Sequence, residues 1–169
     1  MPYWPLRSST SDRTTPSQTS RRRSRTQVTP SAKGDTVEGP ELQDAAREAA
    51  EELPGSVMGH PFGPEYEVFK VRGKVFMLLT DVPGEPVVVL KSDPEESQAL
   101  RQLHRDITPG YHMNKKHWIT LKPVVAQDKG SGETLDKSMV RELVMESYRL
   151  VAAGLPRAER PVDPNSFGK

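Results

Sequence analysis

Glu67-Val68-Phe69-Lys70-Val71-Arg72-Gly73-Lys74-Val75-Phe76-Met77-Leu78-Leu79 decides the fold. Two extended runs rich in β-branched and aromatic residues bracket a two-residue connection that ends in glycine, the pattern of a tight β-hairpin. Pro83-Gly84 marks the next turn, and Pro86-Val87-Val88-Val89-Leu90-Lys91 follows as a third strand. Its unbroken β-branched run suits a central place in an antiparallel sheet. Trp118-Ile119-Thr120-Leu121-Lys122 supplies a fourth strand.

Around these strands the apolar period changes to that of helices. From Glu41 to Leu53, the residues Leu42, Ala45, Ala46, Ala49 and Leu53 fall on one face, with carboxylates opposite and Pro54-Gly55 as the stop. Asp93 and Pro94 form a helix start, with Glu96 placed for a capping box; that helix runs to about His104 with Leu100 and Leu103 facing in. A last helix spans about Asp136 to Ala153, closed by Gly154 as a left-handed cap and kept from resuming by Pro156. The order helix, three strands, helix, strand, helix implies an α+β two-layer sandwich, an antiparallel sheet packed against helices on one face. Roughly 115 residues suffice for one such core.

The ends read differently. The chain has 169 residues, of which 16 are proline and 34% hydrophobic, a composition that leaves part of it outside any core. Residues 1–40, rich in Ser, Thr, Arg and Pro, read as a disordered basic tail; 41–156 form the domain, and 157–169 a flexible C-terminal tail. Charge divides along the same line, with a net of about +4 over residues 1–40 and about −3 over 41–160. The cluster Arg21, Arg22, Arg23 and Arg25 is suited to phosphate contact, or else is a solvated basic tail. No cysteine is present, so disulfides, thiol nucleophiles and thiolate-held zinc are excluded. Neither a membrane-spanning apolar run nor a secretory signal is visible, and a cytoplasmic setting is expected.

The stretch richest in chemistry is Pro109-Gly110-Tyr111-His112-Met113-Asn114-Lys115-Lys116-His117-Trp118, with two of the four histidines, one of the two tryptophans and a lysine pair. Large rings beside cations and hydrogen-bond donors suit an anionic or π-faced partner. Lys115, Lys116 and His117 can hold a phosphate; Tyr111 and Trp118 offer rings; Asn114 brings an amide to a base edge, and His112 stands among them. The competing structural roles are concrete. Tyr111 and Trp118 can cover the sheet, His112 and Asn114 can bond the turn backbone, and the lysines, diverging to opposite faces of a strand, can be solubilising charges. Phe62, in His60-Pro61-Phe62-Gly63-Pro64, reads as a rigid lid over the core or as a second contact. Lys70, Arg72 and Lys74 make the hairpin tip a basic wing, or a solvated one. No metalloprotease, nucleophile-elbow or phosphate-loop motif occurs, so enzyme activity is not expected. His112 and His117, on opposite faces of an extended segment, make a poor metal pair, and the carboxylates of the first helix read as a solvated stripe; no metal and no cofactor is expected.

The chain resembles the MmcQ/YjbR family from about Leu42 to Pro156. The resemblance is carried by Leu53-Pro54-Gly55, Pro61-Phe62-Gly63-Pro64, Val68-Phe69-Lys70-Val71, Gly73-Lys74-Val75-Phe76, Leu90-Lys91-Ser92-Asp93-Pro94, the Pro109 to Trp118 string and Gly154-Leu155-Pro156. It implies a CyaY-like (frataxin-like) sandwich of double-wing type and a DNA-binding role. Departures are the basic head before Glu41, Ser92 where members often carry cysteine, and the long Pro123 to Glu133 loop. Two functional expectations follow. One is a monomeric, non-enzymatic module that contacts DNA phosphates through its basic-aromatic edge. The other is a small-molecule or protein-partner module using Tyr111, His112, Trp118 and Phe62.

Overall fold

The structure, a computed structural model, describes residues 37, 39–124 and 134–168. Among the described residues, three α-helices, α1 (Gly39–Glu51), α2 (Pro94–Leu103) and α3 (Lys137–Ala153), accompany six strands. The strands are β1 (Ser56–Gly59), β2 (Tyr66–Val71), β3 (Lys74–Thr80), β4 (Val87–Lys91), β5 (Ile107–Pro109) and β6 (Trp118–Leu121). They form one antiparallel sheet in the order β1-β2-β3-β4-β6-β5, so the β-branched β4 is interior, as its composition requires. The arrangement is the α+β sandwich expected. Arg72 and Gly73 both take positive φ (49° and 76°), the geometry whose twist matches the two strands they join.

Alternation along the strands sorts side chains to two faces. Phe69, Val71, Phe76, Met77, Leu79, Val88, Leu90, Ile119 and Leu121 meet the apolar stripes of α1 and α3 in the main core. Val68, Leu78 and Val89 point the other way, into a smaller cluster. β3 departs from strict alternation. Phe69 pairs with Met77 but Lys70 with Val75, so Phe76 is an extra residue, and the bulge turns both Phe76 and Met77 toward the helices. There Phe76 meets Tyr148 of α3 edge-on, with ring centroids 5.5 Å apart. The Ser147 hydroxyl donates to the Phe76 carbonyl at 2.5 Å and accepts from the Lys91 amide at 2.8 Å, bridging β3 and β4 at the bulge. Arg47 ties α1 to β2 through both carboxylate oxygens of Glu67, at 2.9 and 3.0 Å, and this pairing raises the guanidinium pKa still further above its ordinary value.

Several expectations need correction. The first helix begins at Gly39, ahead of Glu41, and Val37 is fully buried, donating to the Leu135 carbonyl and accepting from the Val124 amide. Its burial requires no periodicity, so a composition window cannot separate it from the tail. Strands β1 and β5, of four and three residues, add to the four that the sequence predicts; they are too short to show a period. Asp93 does cap α2, accepting from the Glu95 amide with Pro94 in the first turn, but Leu103 is 60% exposed; only Leu100 of the pair packs on the core. Gly154 is right-handed (φ −76°), not a left-handed cap. Its amide bonds the Val151 carbonyl, and the Arg160 guanidinium satisfies the Ala153 carbonyl at the helix end and the Leu155 carbonyl beyond it. For the same reason residues 157–168 are not a free tail. After a 3-10 turn at Arg157–Glu159, Val162 and Phe167 pack on the core, Phe167 lies 5.8 Å from the Tyr148 ring, and Arg149 donates to the Pro164 carbonyl. The Arg21–Arg25 cluster and most of the Pro123 to Glu133 loop lie outside the described residues.

Candidate functional site: the aromatic face of the sheet

The face turned away from the helices is roofed by the β5–β6 connection. Gly110 donates to the Trp118 carbonyl at 2.8 Å, closing the connection like a stem. A Cβ at Gly110 would sit 2.6 Å from the Trp118 Cβ and 3.0 Å from its carbonyl oxygen, so close approach, not backbone twist, requires glycine here. The buried Thr120 hydroxyl accepts from the Tyr111 amide and donates to the Pro109 carbonyl, directing the chain back over the sheet. Tyr111, Met113 and Trp118 then pack, with Tyr66 and Val75, on Val68, Leu78 and Val89. Asn114 shapes the return: its side-chain oxygen accepts from the Lys116 amide and its carbonyl from the His117 amide, while the His117 carbonyl accepts from Ser92.

His112 takes a left-handed backbone (φ 53°), an uncommon conformation for a residue with a side chain, and sets its imidazole edge-on to Tyr111 at 4.1 Å. The Tyr111-His112-Met113 segment is the wall between two cavities. One, of about 300 Å3, is lined by Phe62, Tyr66 and Leu78 together with that segment. The other, of about 620 Å3, adds Pro83, Val87, Thr108, Thr120, Lys115 and Lys122. No Asp or Glu is among the described residues lining either one. The carboxylates gather elsewhere: Glu65, Glu67 and Asp81 around a hollow beside α1, and Glu96, Glu142 and Glu146 along α2 and α3. Lys122 is paired with Glu85 at 2.9 Å, while Lys115 is exposed at the second cavity.

The sequence-derived candidates therefore separate. Phe62, Tyr111, His112 and Lys115 come together at the adjoining cavities. Phe62 is not a lid over the core, since it is 63% exposed; its turn projects the ring outward to the mouth of the smaller cavity. Trp118 is half-buried against Val68, Leu78 and Val89 and lines neither cavity, and Asn114 forms the turn. Lys115, Lys116 and His117 lie on an exposed turn, not on a strand, so strand divergence does not apply to the lysine pair. Lys70, Arg72 and Lys74 line neither cavity, and the Arg72 guanidinium donates to the Glu159 carbonyl at 3.1 Å. Tyr66 and Met113 are additions, and Tyr66 was legible as the residue two before Val68 on the same sheet face. Among the described residues, no three His, Asp or Glu side chains gather to hold a metal ion, and no helix is long and apolar enough to cross a membrane.

The fold and its open face define the class, a two-layer α+β sandwich with helices on one side of the sheet and an aromatic loop on the other. Within that class the chain belongs to the YjbR family, whose model matches residues 51–150. It is 42% identical over 119 residues to protein YbdF of Escherichia coli O157:H7, covering 70% of this chain and 91% of that one. It is 34% identical over 91 residues to protein YjbR of Escherichia coli strain K12, covering 54% and 70%. The crystal structure of Deinococcus radiodurans protein DR2400, a DUF419 domain, is similar with a TM-score of 0.62 at 35% identity, over 75% of this chain and 94% of that one.

Proposed function

We propose that this chain is a non-enzymatic module that binds DNA through the basic-aromatic edge formed by the β5–β6 connection. The observation that carries the reading is the segregation of charge. Although residues 41–160 are mildly acidic as a whole, the two cavities flanking Tyr111-His112-Met113 are lined by rings, hydroxyls, apolar side chains and two lysines, of which Lys122 is paired with Glu85 and Lys115 is exposed, with no Asp or Glu among the described lining residues. A polyanion is attracted to such a spot and repelled from the carboxylate-bearing helical side. Lys115 and Lys116, exposed on the turn, are the phosphate contacts in this reading; the arginines at 21, 22, 23 and 25 add sequence-independent attraction, and the setting is the cytoplasm. Arg72 contributes less than a free wing residue would, because it is held to the Glu159 carbonyl.

The test is binding of labelled DNA to the full chain across a salt series. Affinity should fall steeply as salt rises, and a Lys115→Ala/Lys116→Ala protein should show a shallower slope. A quadruple Arg→Gln change at 21, 22, 23 and 25 separates the tail from the edge: binding lost with the tail alone refutes the role given to the loop. The concave form of the smaller cavity favours a second reading, a compact ring-bearing ligand or a partner side chain held between Phe62 and Tyr111. A concentration-dependent rise in melting temperature with small aromatic anions, without any DNA binding, would select it.

A further inference from the structure

We infer that the site takes an unpaired nucleobase, its ring entering the 300 Å3 cavity beneath Phe62 while the adjoining phosphate lies over the larger cavity toward Lys115. The inference rests on the DNA reading and deepens it from a polyanion site to one selective for single strands. Three observations carry it. First, the smaller cavity is built for a flat, unsaturated group: Phe62, Tyr66, Tyr111 and His112 line it with rings, and Leu78 and Met113 complete it with apolar atoms. Second, Phe62 is presented in advance. The turn around it is closed by the Gly63 amide on the His60 carbonyl and the Tyr66 amide on the Gly63 carbonyl, and prolines stand on either side at 61 and 64. A large ring held 63% exposed by a rigid turn gains little for folding and loses little entropy on meeting a partner.

Third, the two cavities share one wall, so a ring in the smaller one has an anion position beside it. Tyr111, His112 and Met113 line both, and Lys115 lines only the larger. A paired base in a duplex keeps its faces stacked on its neighbours and cannot enter such a cavity without being extruded, at an unstacking cost. An unpaired strand meets no such cost, and its bases stack on aromatic side chains regardless of sequence. A phosphate chain without bases would use the lysines alone.

The test compares three probes by fluorescence anisotropy with the full chain: an oligothymidylate of about 12 nucleotides, the matching duplex, and an abasic strand of equal length. The single strand should bind about ten-fold tighter than the other two, the size of one base-ring stack. Phe62→Ala should remove that advantage and leave duplex and abasic binding unchanged; Phe62→Trp should restore it. Circular dichroism and melting temperature of both variants should match the parent, because Phe62 lies outside both apolar clusters. Equal affinity for all three probes, indifferent to Phe62, would overturn base docking and leave the phosphate reading standing. Absence of binding to any probe at low salt would overturn both.

Discussion

The two faces of this sheet come from alternate residues of the same strands, yet they are finished in different ways. On the helical face Phe76, Met77, Leu90 and Tyr148 are fully buried, and Phe76 meets Tyr148 ring to ring. On the loop face a cluster of three buried residues, Val68, Leu78 and Val89, is covered by side chains that stay partly exposed. Helices bring a whole apolar stripe to a sheet; a loop of fewer than ten residues brings two side chains, Tyr111 and Met113, and leaves cavities beside them. The first arrangement supplies stability, and the second supplies concave surface. A sheet that must present a site without losing its fold can keep the two demands on opposite sides.

The sharpest way to break this comparison is to damage the helical face. Phe76→Ala should cost about 3 to 5 kcal/mol, seen as a lowered urea midpoint, because a fully buried ring leaves a cavity the bulge cannot close. Next in size is Ser147→Ala, expected to cost about 1 to 3 kcal/mol by stranding the Phe76 carbonyl and the Lys91 amide; a value near zero would mean the bulge relaxes into regular pairing. On the loop face, Gly110→Ala should also cost about 1 to 3 kcal/mol, because its new Cβ collides with Trp118, but here the proposed DNA affinity should fall along with stability. If Gly110→Ala left binding intact, the stem would not be what positions the site.

The smallest effect concerns pH. Burial raises the Glu96 carboxyl above the ordinary glutamate range, with Glu146 and then Asp93 adding repulsion. The folded state therefore binds this proton more readily than the unfolded state does. The increment of stability it contributes is complete below the unfolded pKa and is lost as pH rises through the higher folded value. Glu96→Gln should flatten that part of a stability–pH curve and leave DNA binding unchanged; an unaltered curve would remove Glu96 from the account.

The fold was legible wherever the signal was local and periodic. The Arg72-Gly73 hairpin, the interior β4 and the Asp93-Pro94 helix start all follow from neighbours in sequence. What escaped depends on distant partners. Val37 is held by residues 124 and 135, the 157–168 segment by Arg149, Arg160 and a Tyr148 ring, and Gly154 needs no left-handed turn because Arg160 satisfies the carbonyls around it. The site divides in the same manner. The Pro109 to Trp118 string marked a candidate site, but not that Trp118 would pack outside both cavities while Phe62, about fifty residues earlier, would line one with Tyr111.

The hydroxyl bridge of Ser147 has a kinetic side. The Lys91 amide lies in the interior strand, yet its acceptor belongs to α3 and not to β3. Its hydrogen exchange should therefore follow the opening of α3 rather than that of the surrounding ladder, and slow exchange there requires the helix to be docked. One amide in the middle of the sheet becomes a gauge of whether the two layers are joined.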